Sequence, residues 1–387
     1  MAGPSPIPYH ASDLGPEELA AVARCLQGGR IGGNGPLCRR AEERLRAITG
    51  ARHVLLVTSA THALELALLA LEVGPGDEVI CPSYAFPSAA TAILQRGARP
   101  VFADVRADTL ELDAEDAARV VSPRTRAVLP VDYGGVGSDV AELRAALAGA
   151  AARAGGRPIA VLEDAAQGIG ARRDGRHLGA EADAAVISFH ATKNITCGEG
   201  GALLLSEEAA ARRAEIAREK GTNRAAFERG EVDRYEWIAP GSSYVLSDIL
   251  AALLLAQLER LQELTAARRA VAARYDAGLQ DLFASGALRP QRVPPGCENN
   301  GHLYAVRTRD AAGQRALRRH LAERGIEAPF HFVPLHTTEF ARRSFGPPRA
   351  LPVTEDAWAT LLRLPIRPSL GEADQQRVID AVRSGLA

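Results

Sequence analysis

Lys193 is the residue whose type asks for an explanation. The 387-residue chain carries 46 lysines and arginines, and only two of them, Lys193 and Lys220, are lysine. Arginine serves as well on a solvated surface. Its guanidinium stays protonated, however, whereas a lysine amine can be tuned toward neutrality and can form a Schiff base. Lys193 lies in "SFHATKNITCGEGG", just past the apolar run "AAVIS", with a hydroxyl at Ser188 and an imidazole at His190. The glycines that follow let backbone approach a ligand closely. Three further positions also stand at the end of an apolar run. After "HVLLV" come Ser59, Ala60 and Thr61, opening a helical stretch. Free N–H groups, the helix dipole and the hydroxyls there suit an anion. After "DEVICP" comes Phe86, an aromatic able to stack on a planar ring. "IAVLED" ends on Asp164, with Gln167 close behind. A carboxylate at a strand end is costly unless a cation holds it ionised. Each position also has a plainer reading: a helix cap, a core aromatic, an ion pair with an arginine, a surface lysine.

The set is more specific than its members. An anion anchor, a ring platform, a strand-end carboxylate and an amine are what pyridoxal 5'-phosphate requires. The helix amino terminus would hold the phosphate and Phe86 would stack on the pyridine. Asp164 would keep the ring nitrogen protonated, and Lys193 would form the Schiff base.

These residues need a scaffold that brings strand ends together. From about residue 50 to 205, seven short apolar runs alternate with helical patterns such as Thr61 to Leu71 and Asp139 to Ala154. Several runs are continuous, as in strands buried on both faces. The rhythm predicts an α/β fold with a mostly parallel central sheet covered by helices, which binds ligands beyond the carboxyl ends of its strands. Residues 1–246 form the large domain with an N-terminal segment. A long connecting helix is expected over 247–285, and a smaller C-terminal α/β domain, with the strand "HLYAVRTR", over 286–387 after the break "LRPQRVPPGCENNG". The formal net charge of -1 argues against a nucleic-acid or polybasic membrane partner. The five cysteines are odd in number and widely spaced, so neither a disulfide framework nor a metal site is expected. "MAGPSPIPYHASDLG" lacks the features of a signal peptide, and "ILAALLLAQL" is too short to span a bilayer. A cytoplasmic protein is the expectation.

The motifs "GPGDEVICPSYAF", "VLEDAAQGIGA", "SFHATKN", "GEGGALLLS", "GSSYVLSDILAA" and "HFVPLH" resemble those of the DegT/DnrJ/StrS sugar-nucleotide aminotransferases, over nearly the whole chain. The resemblance implies a fold-type I aminotransferase architecture. Lys193 is then the Schiff-base lysine and general acid/base, Asp164 the pyridinium partner, and Phe86 the stacking residue. Gln167 lies near the cofactor's phenolic oxygen, while Ser59, Ala60, Thr61 and Ser188 take phosphate positions. The family commonly has Gly at the position of Ala60, and an N–H donor survives the change. It often has Asn at the position of Ser243, reaching the phosphate of the neighbouring subunit's cofactor; Ser243 is shorter. A homodimer with shared active sites follows. Asn34, in "GGRIGGNGPLC", matches a loop near the sugar nucleotide. His190, Lys220 and His331 are further substrate candidates, whereas His336 reads as a core histidine.

The segment "REKGTNRAAFERGEVDRYEW" with "GSSYVLSD" is similar to a narrower branch acting on dTDP-4-keto-6-deoxyglucose. It implies transfer of an amino group from glutamate, or glutamine, to C4, giving the galacto or gluco amine, with pyridoxamine phosphate as the intermediate form of the cofactor. The alternatives are C3 transfer to a 3-keto sugar nucleotide and a pyridoxamine-phosphate-dependent dehydratase. The latter carry His in place of the Schiff-base lysine.

Overall fold

A computed structural model describes residues 5–150, 152, 153 and 155–386. Seven apolar runs form the central sheet. They are β1 (His53–Val57), β2 (Glu78–Pro82), β3 (Arg99–Ala103), β4 (Thr125–Val128), β5 (Ala160–Asp164), β8 (Ala184–Ser188) and β9 (Gly201–Leu205). Between β5 and β8, the two-residue strands β6 (Arg172–Arg173) and β7 (Arg176–His177) turn back on each other. The sheet order is β1-β9-β8-β5-β4-β2-β3. All of its neighbouring pairs are parallel except the two that β9 makes, so β9 alone runs against the other six strands. The mostly parallel α/β sheet expected from the sequence is therefore observed. Strands β2, β8 and β9 are buried along their whole length, which is why their sequences run apolar without alternation.

Helices cover both faces. Here α1 spans Pro16–Gln27, α2 Pro36–Thr49 and α3 Ala60–Ala70. Helix α3 packs its Leu64, Leu66 and Leu68 into the core formed with β1, β2 and β9. The helical pattern that begins at Asp139 is Val140–Gly149, capped by the Asp139 carboxylate; Ala154 lies outside the described residues.

The single helix expected over 247–285 is two helices, Asp248–Glu259 and Leu261–Ala284. They meet at Arg260, whose guanidinium pairs with Glu18 of α1 at 3.0 Å and Glu263 at 2.9 Å. The break has a tertiary cause. Glu18 is 2 % exposed, and its carboxylate draws Arg260 out of the helical path toward α1. Beyond the second helix, β10 (Leu288–Pro290), β12 (Tyr304–Thr308) and β13 (Leu361–Leu364) make an antiparallel three-stranded sheet. It packs against Leu261–Ala284 and Glu372–Ser384 around Tyr275, Val306, Leu362 and Val378. Strand β11 (Cys297–Glu298) instead joins β6 and β7 in a small three-stranded sheet, separate from the central one. No helix among the described residues is long and apolar enough to cross a membrane, and no cluster of metal-binding side chains occurs among them.

Candidate active site

The parallel strands deliver their following residues to one edge of the sheet. At the end of β1, the Ser59 hydroxyl accepts from the His62 amide at 3.1 Å and caps α3, whose first turn carries no acidic residue. The Thr61 and Ser88 hydroxyls share a hydrogen bond of 2.6 Å. The turn is held from beneath by Gly201. A Cβ there would stand 2.5 Å from the Ala60 nitrogen and the Ser59 carbonyl carbon. This is a close approach that only glycine permits, and it fits a turn whose amides face an anion.

Asp164 ends β5. Among the described residues its side chain accepts one hydrogen bond, from the Ala166 amide at 3.1 Å, and none of the 44 arginines pairs with it. Burial pushes the carboxyl above its usual range, while the Ala166 amide and the charge of Lys193 pull it back down. An ionised Asp164 thus calls for a cationic hydrogen-bond donor that the chain does not supply, as a protonated pyridine nitrogen would.

Lys193 stands in the loop after β8. Burial lowers its amine to about 8, against an opposing pull from Asp164 and a push in the same direction from Arg363. At that value an appreciable fraction is neutral near physiological pH, as nucleophilic attack on an aldehyde requires. The loop is fixed on both sides. The Lys193 amide donates to the His190 carbonyl at 2.9 Å. The neighbouring Asn194 donates to the Asn300 carbonyl at 3.0 Å and shares a 3.0 Å bond with the His302 ring.

The other sequence candidates are distributed unevenly. Ser188 is buried at the end of β8, its hydroxyl 3.4 Å from the His190 amide. Gln167 is buried, with its carbonyl oxygen held by the Gly134 amide at 2.7 Å. Phe86 is 61 % exposed, which suits a platform better than a core aromatic. His331 lies over the strand ends, where its ring shares a 2.9 Å bond with the Tyr133 hydroxyl and its carbonyl accepts from Tyr84. Burial, Arg363 and Lys193 push its ring down to about 2, so it is neutral in use. His190 turns back on its own loop, bonding Thr192 at 2.9 Å. Asn34 is tied to the Arg218 guanidinium at 3.0 Å and the Glu219 carboxylate at 3.4 Å, beside a groove of about 1000 Å³ between α2 and residues 208–231. Lys220 is exposed one residue beyond the cap of the helix Glu208–Arg218, in a left-handed conformation. Ser243 is exposed, next to Tyr244, whose carbonyl accepts from the Thr58 amide just ahead of the turn that opens α3. His336 is a satisfied core histidine, bonded to Ser83 at 2.6 Å and to Glu355 at 3.3 Å.

Sequence reasoning missed Tyr84, Tyr133, Asn194, Asn300, His302 and the particular task of Gly201. Tyr133 follows β4 in "VDYGG", a strand end like the others, and that placement was signal enough. Asn300 and His302 acquire a role only through docking of the C-terminal part, which no local pattern announces.

A tuned amine, a carboxylate without a counter-ion and a helix amino terminus at one edge of such a sheet define a pyridoxal-phosphate enzyme of the aminotransferase class. The chain belongs to the DegT/DnrJ/EryC1/StrS aminotransferase family, whose model matches residues 12–383. It is 34 % identical to the aminotransferase TlmJ from Streptoalloteichus hindustanus, with 99 % of each chain covered and a TM-score of 0.88. It is also 34 % identical to DesV of S. venezuelae, solved in complex with a ketimine intermediate, again with 99 % of each chain covered and a TM-score of 0.87. The putative sugar aminotransferase Spr1654 from Streptococcus pneumoniae, in its PMP form, is 27 % identical over 98 % of each chain, with a TM-score of 0.90. The protein is a pyridoxal-phosphate-dependent sugar aminotransferase.

Proposed function

We propose that the protein transfers the amino group of L-glutamate, or glutamine, to C4 of dTDP-4-keto-6-deoxy-D-glucose, giving the 4-amino-4,6-dideoxy sugar nucleotide. The observation that carries the transferase reading is the pairing of Lys193 with Asp164. The two feel each other's charge across the site without forming an ion pair. Bound pyridoxal phosphate supplies the electron sink that stabilises negative charge on the reacting carbon. The chain's own groups do the rest. The amino end of α3 would hold the phosphate. The Asp164 carboxylate would keep the ring nitrogen protonated, and Gln167 would help to hold the ring. Lys193 Nζ, near neutrality, takes the proton from the donor's α-carbon and returns one to the sugar carbon. Tyr84, Tyr133 and His331 roof the strand ends and limit water.

The C4 position and the dTDP handle rest on the likeness of residues 218–237 and 241–248 to the branch acting on that ketosugar. In this reading Asn34, His190, Lys220 and His331 are substrate contacts, and the enzyme works in the cytoplasm as a homodimer with shared sites. Phe227, Tyr235, Trp237 and Ile238 lie exposed on the same segment, which supports a subunit contact there. The test is NMR of the product formed from the ketosugar and glutamate. An amine at C4 is expected. An amine at C3 would move the regiochemistry, and ammonia release without an aminated sugar would replace transfer with dehydration; Lys193 in place of the dehydratases' His argues against the latter.

A further inference from the structure

Asp132 and Glu163 are buried carboxyl groups that the transfer chemistry leaves unused. Asp132 lies just past β4 and is 0 % exposed; Glu163 precedes Asp164 on β5 and is 2 % exposed. Side chains alternate along a strand, so Glu163 points to the face of the sheet opposite Asp164. The two chain segments are joined beside them. The Asp132 amide donates to the Asp164 carbonyl at 3.1 Å, and the Asp164 amide to the Pro130 carbonyl at 2.9 Å. The two carboxyls lie within hydrogen-bonding reach of each other. Glu163 Oε1 accepts from the Gly179 amide at 2.8 Å, and Asp132 Oδ1 from the Ser138 amide at 2.8 Å. Asp132 Oδ2 has no donor among the described residues, and the Ser138 hydroxyl near it is also buried without a bonded partner. The charges around the pair are already matched. Arg173 on β6 holds Glu111 at 3.2 Å and Asp139 at 2.7 Å. Arg106 pairs with Glu142, and Arg176 with Glu181. Arg173 and Glu181 reach Glu163 only through their charge.

Two carboxyl groups hydrogen-bond each other only if one keeps its proton, because an ionised carboxylate is an acceptor alone. Two such groups without water or a cation do not both ionise. Resting on the aminotransferase reading, we propose that Asp132 and Glu163 share one proton as an acid–carboxylate bridge, which clamps the loop 132–138 to β5 and makes both side chains positioning residues for Gln167 and Tyr133. The loop serves the site directly. Its Gly134 amide holds the Gln167 carbonyl oxygen at 2.7 Å, and its Tyr133 hydroxyl shares a 2.9 Å bond with His331. Its Gly135 amide returns to the Asp132 carbonyl at 3.1 Å. Burial pushes both carboxyls above their usual range, and the charge of Glu163 adds to the push on Asp132. The folded protein thus holds a proton that the unfolded chain releases in the ordinary carboxylate range. The pair's contribution to stability falls as pH rises from that range. Glu111, which burial raises to about 7, titrates nearby as well.

The experiment compares the cofactor-loaded parent enzyme with Asp132→Asn, Glu163→Gln and Asp132→Ala. Urea unfolding is followed from about pH 5 to about pH 9, above the ordinary carboxylate range. An amide supplies permanently the hydrogen that the bridge has only while its proton stays. The Asn and Gln variants therefore gain on the parent as pH rises, by up to about tenfold in the unfolding equilibrium constant per pH unit. Glu111 titrates in every protein compared, so its share cancels. The site is read by single-turnover bleaching of the cofactor's visible band with glutamate. The Ala variant, which has no bridge, bleaches about 10- to 100-fold more slowly, the cost of misplaced reacting groups. The Asn variant restores the rate to within about threefold of the parent, on the same geometric ground. Parallel curves of stability against pH for the parent and both amide variants overturn the shared proton. An Ala variant as fast as the parent, or an Asn variant as slow as the Ala variant, overturns the positioning role. If Asp132→Ala does not fold, Glu163→Ala is read in the same way. A parent enzyme that glutamate cannot bleach overturns the aminotransferase reading instead, and the unfolding curves still decide the proton.

Discussion

At the scale of single residues, Lys193 and Asp164 depend on each other in opposite senses. Burial depresses the lysine, and the aspartate's charge partly restores it. The neutral fraction of the amine grows as pH rises through about 8, well below the ordinary lysine range. Capture of pyridoxal phosphate by the cofactor-free protein should accelerate over that window, which stopped-flow absorbance reads directly. Asp164→Asn removes the charge that raises the lysine, so the midpoint moves lower, although the variant binds a ring nitrogen less well. A midpoint near 10 in either protein would contradict the burial of the amine. Lys193→Arg keeps the positive charge and loses the nucleophile. It should abolish the visible band and cut turnover by at least about 10³-fold, as should Lys193→Ala. Retained turnover in the Arg variant would show that charge alone was needed. The scarcity of lysine among arginines makes this residue legible from the sequence alone. Arg363 is illegible there for the same reason, being one arginine among 44.

At the scale of elements, the site depends on how strand β9 passes under helix α3. Gly201→Ala would put a methyl group into the Ser59–Ala60 backbone. About 1–3 kcal/mol of stability should be lost to this overpacking, and cofactor affinity should fall more than stability suggests if the displaced Ala60 amide is, as proposed, a phosphate donor. Gly198→Ala is the control. Its φ of +86° makes alanine strained, but nothing lies within 4 Å of the new methyl. Equal loss of cofactor affinity in the two variants would show that backbone strain, not the clash, is responsible. The strand ends themselves were readable, since each apolar run announces its own end and the residue after it. The break at Arg260 was not. Arginine is a good helix former, and only Glu18, some 240 positions earlier in the chain, makes it a corner. A second fixed point is Asn300, which donates to the Gln167 and Ile169 carbonyls at 2.7 and 2.9 Å and receives the His302 amide at 3.0 Å. Asn300→Ala leaves these groups unsatisfied and should cost about 3 kcal/mol. Thermal melting with and without cofactor measures it, and a change under half that size would show that water replaces the side chain.

At the scale of the whole molecule, the large-domain half of the site was legible and the other half was not. Ser59, Phe86, Asp164, Ser188 and Lys193 sit in contiguous motifs that one sheet gathers. His302, Asn300 and Arg363 belong to the C-terminal part, and their meaning depends on where that part docks. The proposed homodimer predicts a sedimenting species of twice the 41.0 kDa chain mass. Trp237→Glu, at a side chain 77 % exposed, should weaken it, and a monomer with full activity would exclude shared sites. Residues 7–13 add a further consequence. Ile7 bridges to Ile326, Tyr9 lies beneath Arg363, and the Ser12 hydroxyl donates to the Ala191 carbonyl, two residues before Lys193. On the ribosome this early segment must wait 179 residues for the partner of Ser12 and 354 for that of Tyr9. A chain cut short before β13 could not close the seam that Tyr9 and Arg363 make, and it should capture pyridoxal phosphate more slowly than the full chain, as absorbance would show.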